Sequence, residues 1–249
     1  MTRLRAVALL SLAVVACAHA PSARDRETAV IHNDLAVEAL RAGRMQDALR
    51  EYDEALKVDE ALAEAHLGKG ILLEYAFART DEAEVEYRRA IQLKPALPEA
   101  HNNLGQLLAR TGRLDEAVKE FDAALAVMLY REPWVARCNR GQALWRLGRK
   151  DEGQAELRAC LQVQPRYCPG WRELGRLQLA DGRAQDAVAS LEQYAQACDR
   201  TADAHQQLGL ALLKAGKLDR ARDEFGRCAE LGEGSPVGAD CRRSREQLQ

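Results

Sequence analysis

The sequence of 249 residues contains few aromatic residues and no surplus of basic charge. Aromatic side chains make up only 5% of the chain, whereas alanine is abundant. This balance disfavours β-strands, which prefer aromatic and β-branched residues, and it favours helices. The formal net charge of −2 lacks the basic excess that nucleic-acid binding requires. We therefore expect an all-α protein with no nucleic-acid partner.

Motifs of catalysis and metal binding are also missing from the sequence. It contains no H-E-x-x-H, G-x-S-x-G, P-loop or G-x-G-x-x-G motif. No C-x-x-C motif occurs, and no histidine stands at ligand spacing. His66, His101 and His205 recur at one repeat position, so we interpret them as framework residues. We expect no enzymatic activity, no metal, no cofactor and no small-molecule substrate.

The N-terminal segment is too short to span a membrane. Its apolar stretch, residues 6–16, follows Arg3 and Arg5 and would measure roughly 16 Å as a helix, about half the thickness of a bilayer core. This pattern is typical of a secretory signal. Two cleavage positions are open: one after residues 18–20, which Pro21 disfavours, and one before Cys17.

The sequence VVAC at residues 14–17 resembles a bacterial lipobox. The resemblance predicts a signal peptide over residues 1–16, lipidation of Cys17 and a flexible tether over residues 17–28. Otherwise Cys17 is a stray thiol. No Asp follows the cysteine, which in such lipoproteins implies sorting to the outer membrane. Several acyl chains hold a protein far more firmly than one. We expect the rest of the chain to lie in the periplasm.

Residue columns with a period of 34–36 residues define a repeat. A small residue recurs at Ala36, Gly70, Gly105, Gly141, Gly175 and Gly209. A second small column contains Ala48, Ala83, Ala117, Gly153, Ala187 and Ala221. Large apolar residues follow four positions later, at Tyr52, Tyr87, Phe121, Leu157, Leu191 and Phe225. Small residues in register indicate helices that approach one another closely.

These columns resemble the tetratricopeptide repeat, a pair of antiparallel helices. The resemblance predicts a right-handed superhelical solenoid of six helix-turn-helix repeats, because one unit alone cannot bury its apolar face. The predicted units are residues 29–62, 63–97, 98–131, 134–167, 168–201 and 202–235. A polar capping helix is expected over residues 236–249, where it would cover the last repeat.

The first helix of each repeat is predicted to line a concave, protein-binding groove. The inward-facing positions are Asn33, Val37, Leu40, Leu67, Ile71, Tyr75, Asn102, Gln106, Gln142, Trp145, Arg172, Arg176, Leu210 and Leu213. Leu67, Ile71 and Tyr75 form an apolar stripe. Tyr75 and Trp145 are the expected anchors, because aromatic residues dominate binding hot spots. Packing between adjacent first helices is the alternative explanation for some of these residues.

Six cysteines lie in the C-terminal half, and an even number in an exported protein suggests disulfides. The candidates are Cys138, Cys160, Cys168, Cys198, Cys228 and Cys241. The proximity of neighbouring helices favours the pairs Cys138–Cys168, Cys160–Cys198 and Cys228–Cys241. The alternative is that Cys160 and Cys228 are simply small core residues.

Insertions and local motifs in the repeats indicate a resemblance to a narrower group than the tetratricopeptide repeat as a whole. An inserted residue near residues 77–81 is followed by EYRRA at residues 86–90, and the third repeat contains NLG at residues 103–105. LYREP at residues 129–133 precedes the fourth repeat. With the lipobox and six repeats, this chain resembles the pilotins of the PilF, PilW and Tgl group, the lipoproteins of type IV pilus biogenesis. This chain departs from the group in its six cysteines, which are not general among these pilotins.

The resemblance implies a function in the envelope. Such a pilotin binds secretin subunits at the outer membrane and promotes their assembly into the multimer through which the pilus passes, and so supports twitching motility. The alternative is a protein-binding lipoprotein scaffold of another assembly machine, for barrel assembly, polysaccharide export or regulation of a cell-wall synthase. Both are protein-binding functions.

Overall fold

The structure of the chain, a computed structural model, describes residues 20–248. These residues form thirteen α-helices and no strand. None of these helices is long and apolar enough to cross a membrane. The predicted signal peptide and Cys17 lie outside the described residues. The helices are α1 Ala23–Arg41, α2 Met45–Val58, α3 Ala63–Tyr75, α4 Thr80–Leu93, α5 Pro98–Arg110, α6 Leu114–Ala126, α7 Pro133–Arg146, α8 Lys150–Val163, α9 Cys168–Ala180, α10 Ala184–Ala197, α11 Ala202–Lys214, α12 Leu218–Leu231 and α13 Pro236–Glu246.

The first twelve helices form six pairs, and each pair packs against the next along the chain. The small columns explain the pairing. A Cβ atom added to Gly105 of α5 would lie 2.6 Å from the Phe121 ring of α6, and one added to Gly70 would lie 2.7 Å from the Tyr87 ring. Both rings are fully buried. The prediction of an all-α repeat solenoid is confirmed.

The turn inside the second repeat differs from the other five. In those repeats a glycine with positive φ follows the first helix, as at Gly112 with φ of 85°. Glycine tolerates this left-handed conformation because it has no Cβ. In the second repeat Ala78 adopts it instead, with φ of 54°. The single inserted residue near residues 77–81 therefore lies in a turn that an alanine closes.

Helix α1 begins at Ala23, before the predicted start of the first repeat at residue 29. The prediction of a flexible tether is wrong for residues 23–28, which form the first turns of α1. A capping box explains the difference: the Asp25 amide donates to the Ser22 hydroxyl at 3.2 Å, and the Ser22 amide donates to the Asp25 carboxylate at 2.9 Å. At the other end, α13 contacts α12 and α11, as expected of a capping helix.

Recurrent histidines join the two helices of a repeat to the preceding loop. In the third repeat, His101 Nδ1 lies 2.7 Å from the Glu120 carboxylate of α6, and Nε2 lies 3.0 Å from the Pro95 carbonyl. Because both partners are acceptors, the protonated ring satisfies both. The hydrogen bond to Glu120 raises the pKa of His101. His66 and His205 make the same two contacts, which agrees with a framework role.

Three disulfides cross-link the C-terminal half. They join Cys138 to Cys160, Cys168 to Cys198, and Cys228 to Cys241, with Cα–Cα distances of 5.5, 6.2 and 5.9 Å. The third pair agrees with the sequence analysis, but the expected pairs Cys138–Cys168 and Cys160–Cys198 are wrong. Those pairs would connect successive repeats. The antiparallel arrangement within one repeat instead places the early part of its first helix beside the late part of its second.

We expect reduction of the disulfides to loosen only repeats four to six and α13. Closed loops of 13 to 30 residues each stabilise by about 3–4 kcal/mol, because the cross-link restricts the unfolded chain. In a repeat array this gain stays with the linked units and their neighbours. Hydrogen exchange with and without a phosphine reductant measures it. Equal loss of protection in α1–α6 would contradict the prediction.

Two glycine substitutions should have opposite effects on the free energy of unfolding. A Cβ atom at position 153 would lie 2.5 Å from the Gly141 carbonyl oxygen and 2.7 Å from the Trp145 amide nitrogen, so α7 and α8 would have to separate. We expect Gly153→Ala to destabilise by about 1–3 kcal/mol. Gly226→Ala meets nothing closer than 3.6 Å and should stabilise α12 by up to about 1 kcal/mol. Chemical denaturation tests both variants, and a destabilised Gly226→Ala would refute the steric argument.

Candidate protein-binding groove

The first helices of successive repeats contact one another, α1 with α3, α3 with α5, and so on to α11. They form one continuous face, which we call the groove. No cluster of His, Cys, Asp and Glu in residues 20–248 is placed to hold a metal ion. The groove therefore offers contact surface, and its chemistry depends on which side chains are free.

The predicted apolar stripe on α3 is free at only one end. Leu67 and Ile71 are half-buried, because they pack against the cluster that contains Leu104 and Leu107 of α5. Packing between adjacent first helices thus occupies much of their surface. Tyr75, at the end of α3, is 58% exposed. It is the large apolar side chain that this stripe presents to a partner.

A buried carboxylate lies directly beneath Tyr75. The side chain of Glu74 is 2% exposed and forms an ion pair with Arg110 of α5. The Tyr87 hydroxyl donates to the other Glu74 oxygen at 2.5 Å. Burial raises the pKa of Tyr87, which keeps the phenol protonated as a donor. Tyr87 of α4 thus supplies a hydrogen bond to one carboxylate oxygen, and Arg110 of α5 supplies the opposite charge that a buried carboxylate requires.

Arg110 connects this carboxylate to the exposed ring. Its guanidinium carbon lies 5.2 Å from the centre of the Tyr75 ring, and Nη1 donates to the Tyr75 hydroxyl at 3.3 Å. A cation over an aromatic face is attracted by the ring quadrupole. Glu74 therefore positions Arg110, and Arg110 positions Tyr75. Neither charged residue is among the positions predicted from the sequence, although Arg110 follows Tyr75 by one repeat length.

Polar side chains dominate the groove in repeats three to five. The Asn139 amide donates to Asn102 at 3.0 Å, and Asn102 is buried between α5 and α7. Gln106, Gln142 and Arg172 line a cavity of about 210 Å³ with Tyr167 and Glu173. This volume is smaller than the ~300–1,000 Å³ of most small-molecule sites, so it suits a single side chain.

Trp145 is not a groove residue, and its prediction as a binding anchor is wrong. Only 6% of it is exposed, and it packs with Leu157, Leu161 and Leu174 in the core around Cys138–Cys160. Gly153 of α8 lets the Trp145 backbone approach closely. The indole therefore lies in the core shared by repeats four and five, and almost none of it reaches the surface.

The other predicted positions vary in their accessibility. Val37 and Leu40 of α1 are half-buried, and Leu40 packs against the core of the first repeat. Arg176 is exposed but bound by Glu173 through two hydrogen bonds of 3.0 and 2.5 Å. Leu210 and Leu213 are partly exposed on α11. The groove thus has an apolar, aromatic end in repeats one to three, a polar stretch that begins in repeat three and runs to repeat five, and two partly exposed leucines in repeat six.

Family comparisons agree with this architecture. A model described as TPR repeat matches residues 79–112, and models described as tetratricopeptide repeat match residues 98–128, 138–200 and 172–236. No curated protein matches the sequence. The repeated helix pairs and these matches together define a tetratricopeptide-repeat protein.

Several solved structures of tetratricopeptide-repeat proteins are similar to this chain. PilW, described as a widely conserved type IV pilus biogenesis factor, has a TM-score of 0.78 and 26% identity over 85% of this chain and 97% of PilW. PilF of Pseudomonas aeruginosa has a TM-score of 0.72 and 19% identity over 88% of this chain and 99% of that chain. The Cut9–Hcn1 tetramer matches at 0.71 and 16% identity, over 88% of this chain and 43% of that one, and shares the fold alone. The likeness to PilW agrees with the resemblance of the sequence to the lipoproteins of type IV pilus biogenesis, whereas PilF, at 19% identity, shows the shared fold.

Removing the charge of Arg110 should lower the free energy of unfolding, because the buried Glu74 carboxylate would lose its ion-pair partner. We expect Arg110→Met to destabilise by about 1–3 kcal/mol, less than for a fully buried pair because Arg110 is half-exposed. In a Glu74→Gln background the same change should cost much less, since a neutral amide still accepts from Tyr87. Urea denaturation of the four proteins measures this difference. Equal costs in both backgrounds would show that Arg110 does not act through Glu74.

Proposed function

We propose that this protein is an outer-membrane lipoprotein that binds secretin subunits and promotes their multimerisation during type IV pilus biogenesis. The observation that carries the proposal is the likeness to PilW, which extends over 85% of this chain and nearly all of PilW. An accessible groove in the described residues supports a function in binding another protein.

The end of the groove in repeats one to three is the proposed contact. Tyr75 offers a large apolar surface, and the half-buried Leu67 and Ile71 border it. Aromatic side chains of this kind supply much of the energy at protein interfaces. Because Glu74 and Arg110 already fix the ring, less side-chain freedom is lost when a partner binds.

Lipidation of Cys17 is the proposed means of localisation. Acyl chains on this residue would hold the repeats at the periplasmic face of the outer membrane, within reach of secretin subunits before they insert. The groove would then shield apolar surface on the subunit until it meets other subunits. No covalent step and no cofactor is needed for this action.

The amount of detergent-resistant secretin multimer in a strain that lacks the protein tests the proposal. We expect multimer to be lost while monomer persists, and the wild-type gene to restore it. A Cys17→Ala version should fail to restore it, because the repeats would not be held at the membrane. Normal multimer in the deletion strain would refute the proposal and favour a scaffold of another envelope machine.

Substitution of Tyr75 tests the contact itself. We expect Tyr75→Ala to weaken the binding of purified secretin subunits about tenfold or more, because the exposed aromatic anchor is removed. Val85→Ala is a matched control, since Val85 is 66% exposed on α4, away from the groove. It should bind like the wild type. Equal weakening by both variants would place the contact elsewhere.

A further inference from the structure

One interaction recurs in most repeats and is absent from the fifth. A side chain near the start of the first helix pairs with a glutamate of the second helix, as in His32–Glu51, His66–Glu86, His101–Glu120, Arg137–Glu156 and His205–Glu224. In the fifth repeat Trp171 stands in the first position and Ser190 in the second. An ionisable bridge has thus been replaced by an indole and a small hydroxyl.

Both replacement residues retain structural partners. The Trp171 indole donates to the Pro165 carbonyl at 2.8 Å, which preserves the contact that the histidines make with the preceding loop. The Ser190 hydroxyl donates to the buried Gln178 at 2.7 Å. No glutamate side chain fills the space beside Trp171. The exchange therefore leaves an apolar depression and not a defect in folding.

This depression is a groove of about 540 Å³ between α8, α9 and α10, which we call the outer groove. Leu161, Leu174 and Trp171 line it, with Pro165 and Ala189. The groove one repeat further on serves as a comparison, because it is larger, at about 740 Å³. Its walls are charged, with Glu192, Asp199, His205, Arg220, Glu224, Arg227 and Glu230.

Arg158 is the charged residue that lines the outer groove. It is exposed and forms no ion pair with any residue between 20 and 248. Its neighbours on the rim, Gln162 and Gln193, are uncharged amides. The groove therefore combines an apolar floor with one free cation, and its complement is an apolar group beside an anion.

We propose that the outer groove is a second docking site, which takes a segment of a partner protein carrying a large apolar side chain next to a carboxylate. The apolar side chain packs on the partly exposed Trp171, over the buried Leu161 and Leu174, and the carboxylate pairs with Arg158. The site is separate from the groove of first helices, so it allows a second protein to bind while the first is held. It does not depend on the identity of the partner proposed above.

Fluorine NMR of the full chain labelled with 5-fluorotryptophan tests this proposal. The probe is the blocked dipeptide N-acetyl-Phe-Asp amide, and N-acetyl-Phe-Asn amide is its neutral counterpart. We expect the acidic dipeptide to shift the Trp171 signal saturably, and by more than the signals of Trp134 and Trp145, which do not line the outer groove. The neutral dipeptide should bind about threefold more weakly, the effect of one exposed ion pair. An unmoved Trp171 signal, or equal affinity for the two dipeptides, would overturn the proposal.

Two variants distinguish the contribution of the apolar floor to binding from the contribution of the Arg158 charge. Arg158→Gln alters an exposed side chain, so the protein should fold normally and bind both dipeptides with the same weak affinity. Trp171→His with Ser190→Glu rebuilds the bridge of the other repeats. This double variant should fold, and circular dichroism measures its helix content. It should lose saturable binding of the acidic dipeptide, which fluorescence polarisation of a dye-labelled dipeptide measures. Undiminished binding by either folded variant would refute the assignment.

A second copy of this chain is the competing occupant of the outer groove. Sedimentation of the wild type and the Trp171→His, Ser190→Glu variant distinguishes it. We expect both proteins to sediment as the same species, because the proposed occupant of the outer groove is a different protein and not a second copy of this chain. Association of the wild type that the variant abolishes would overturn the proposal and identify the outer groove as a self-association surface.

Discussion

The close approach of two helices inside each repeat is the constraint on which the structure depends. Gly70 faces the ring of Tyr87, and Gly105 faces the ring of Phe121, at distances that leave no room for another methyl group. The large side chain is buried because its partner is small, and this contact sets the angle at which the pair presents its outer faces to the next pair. Stacking, the groove and the cross-links all follow from this geometry.

The period of the sequence predicted the fold because steric contacts of this kind repeat in every unit. The six units and the cap could be predicted, as could the exposed aromatic Tyr75, whose position follows from its place on α3. Trp145 could not be assigned in this way. A side chain at the edge of a helix face turns inward or outward according to its neighbours, and Gly153 supplies space inside the repeat.

The charged pair beside Tyr75 and the disulfides depend on contacts between residues far apart in sequence. Glu74 and Arg110 meet only because α3 and α5 lie side by side. The choice between Cys138–Cys160 and Cys138–Cys168 depends on helix register, which composition and spacing do not determine. Trp171 and Ser190 are different, because their coupled departure from the repeat pattern is visible in the sequence once the His–Glu bridge is known.

The position of the disulfides gives the chain an uneven mechanical character. All three lie in repeats four to six and their cap, and none joins one repeat to the next. Under tension between its two ends, the described part of the stack would yield first in repeats one to three, where residues 20–131 contain no disulfide to limit extension. The cross-linked units would separate from one another as intact blocks. Repeats one to three would thus extend at a lower force than the disulfide-linked repeats four to six.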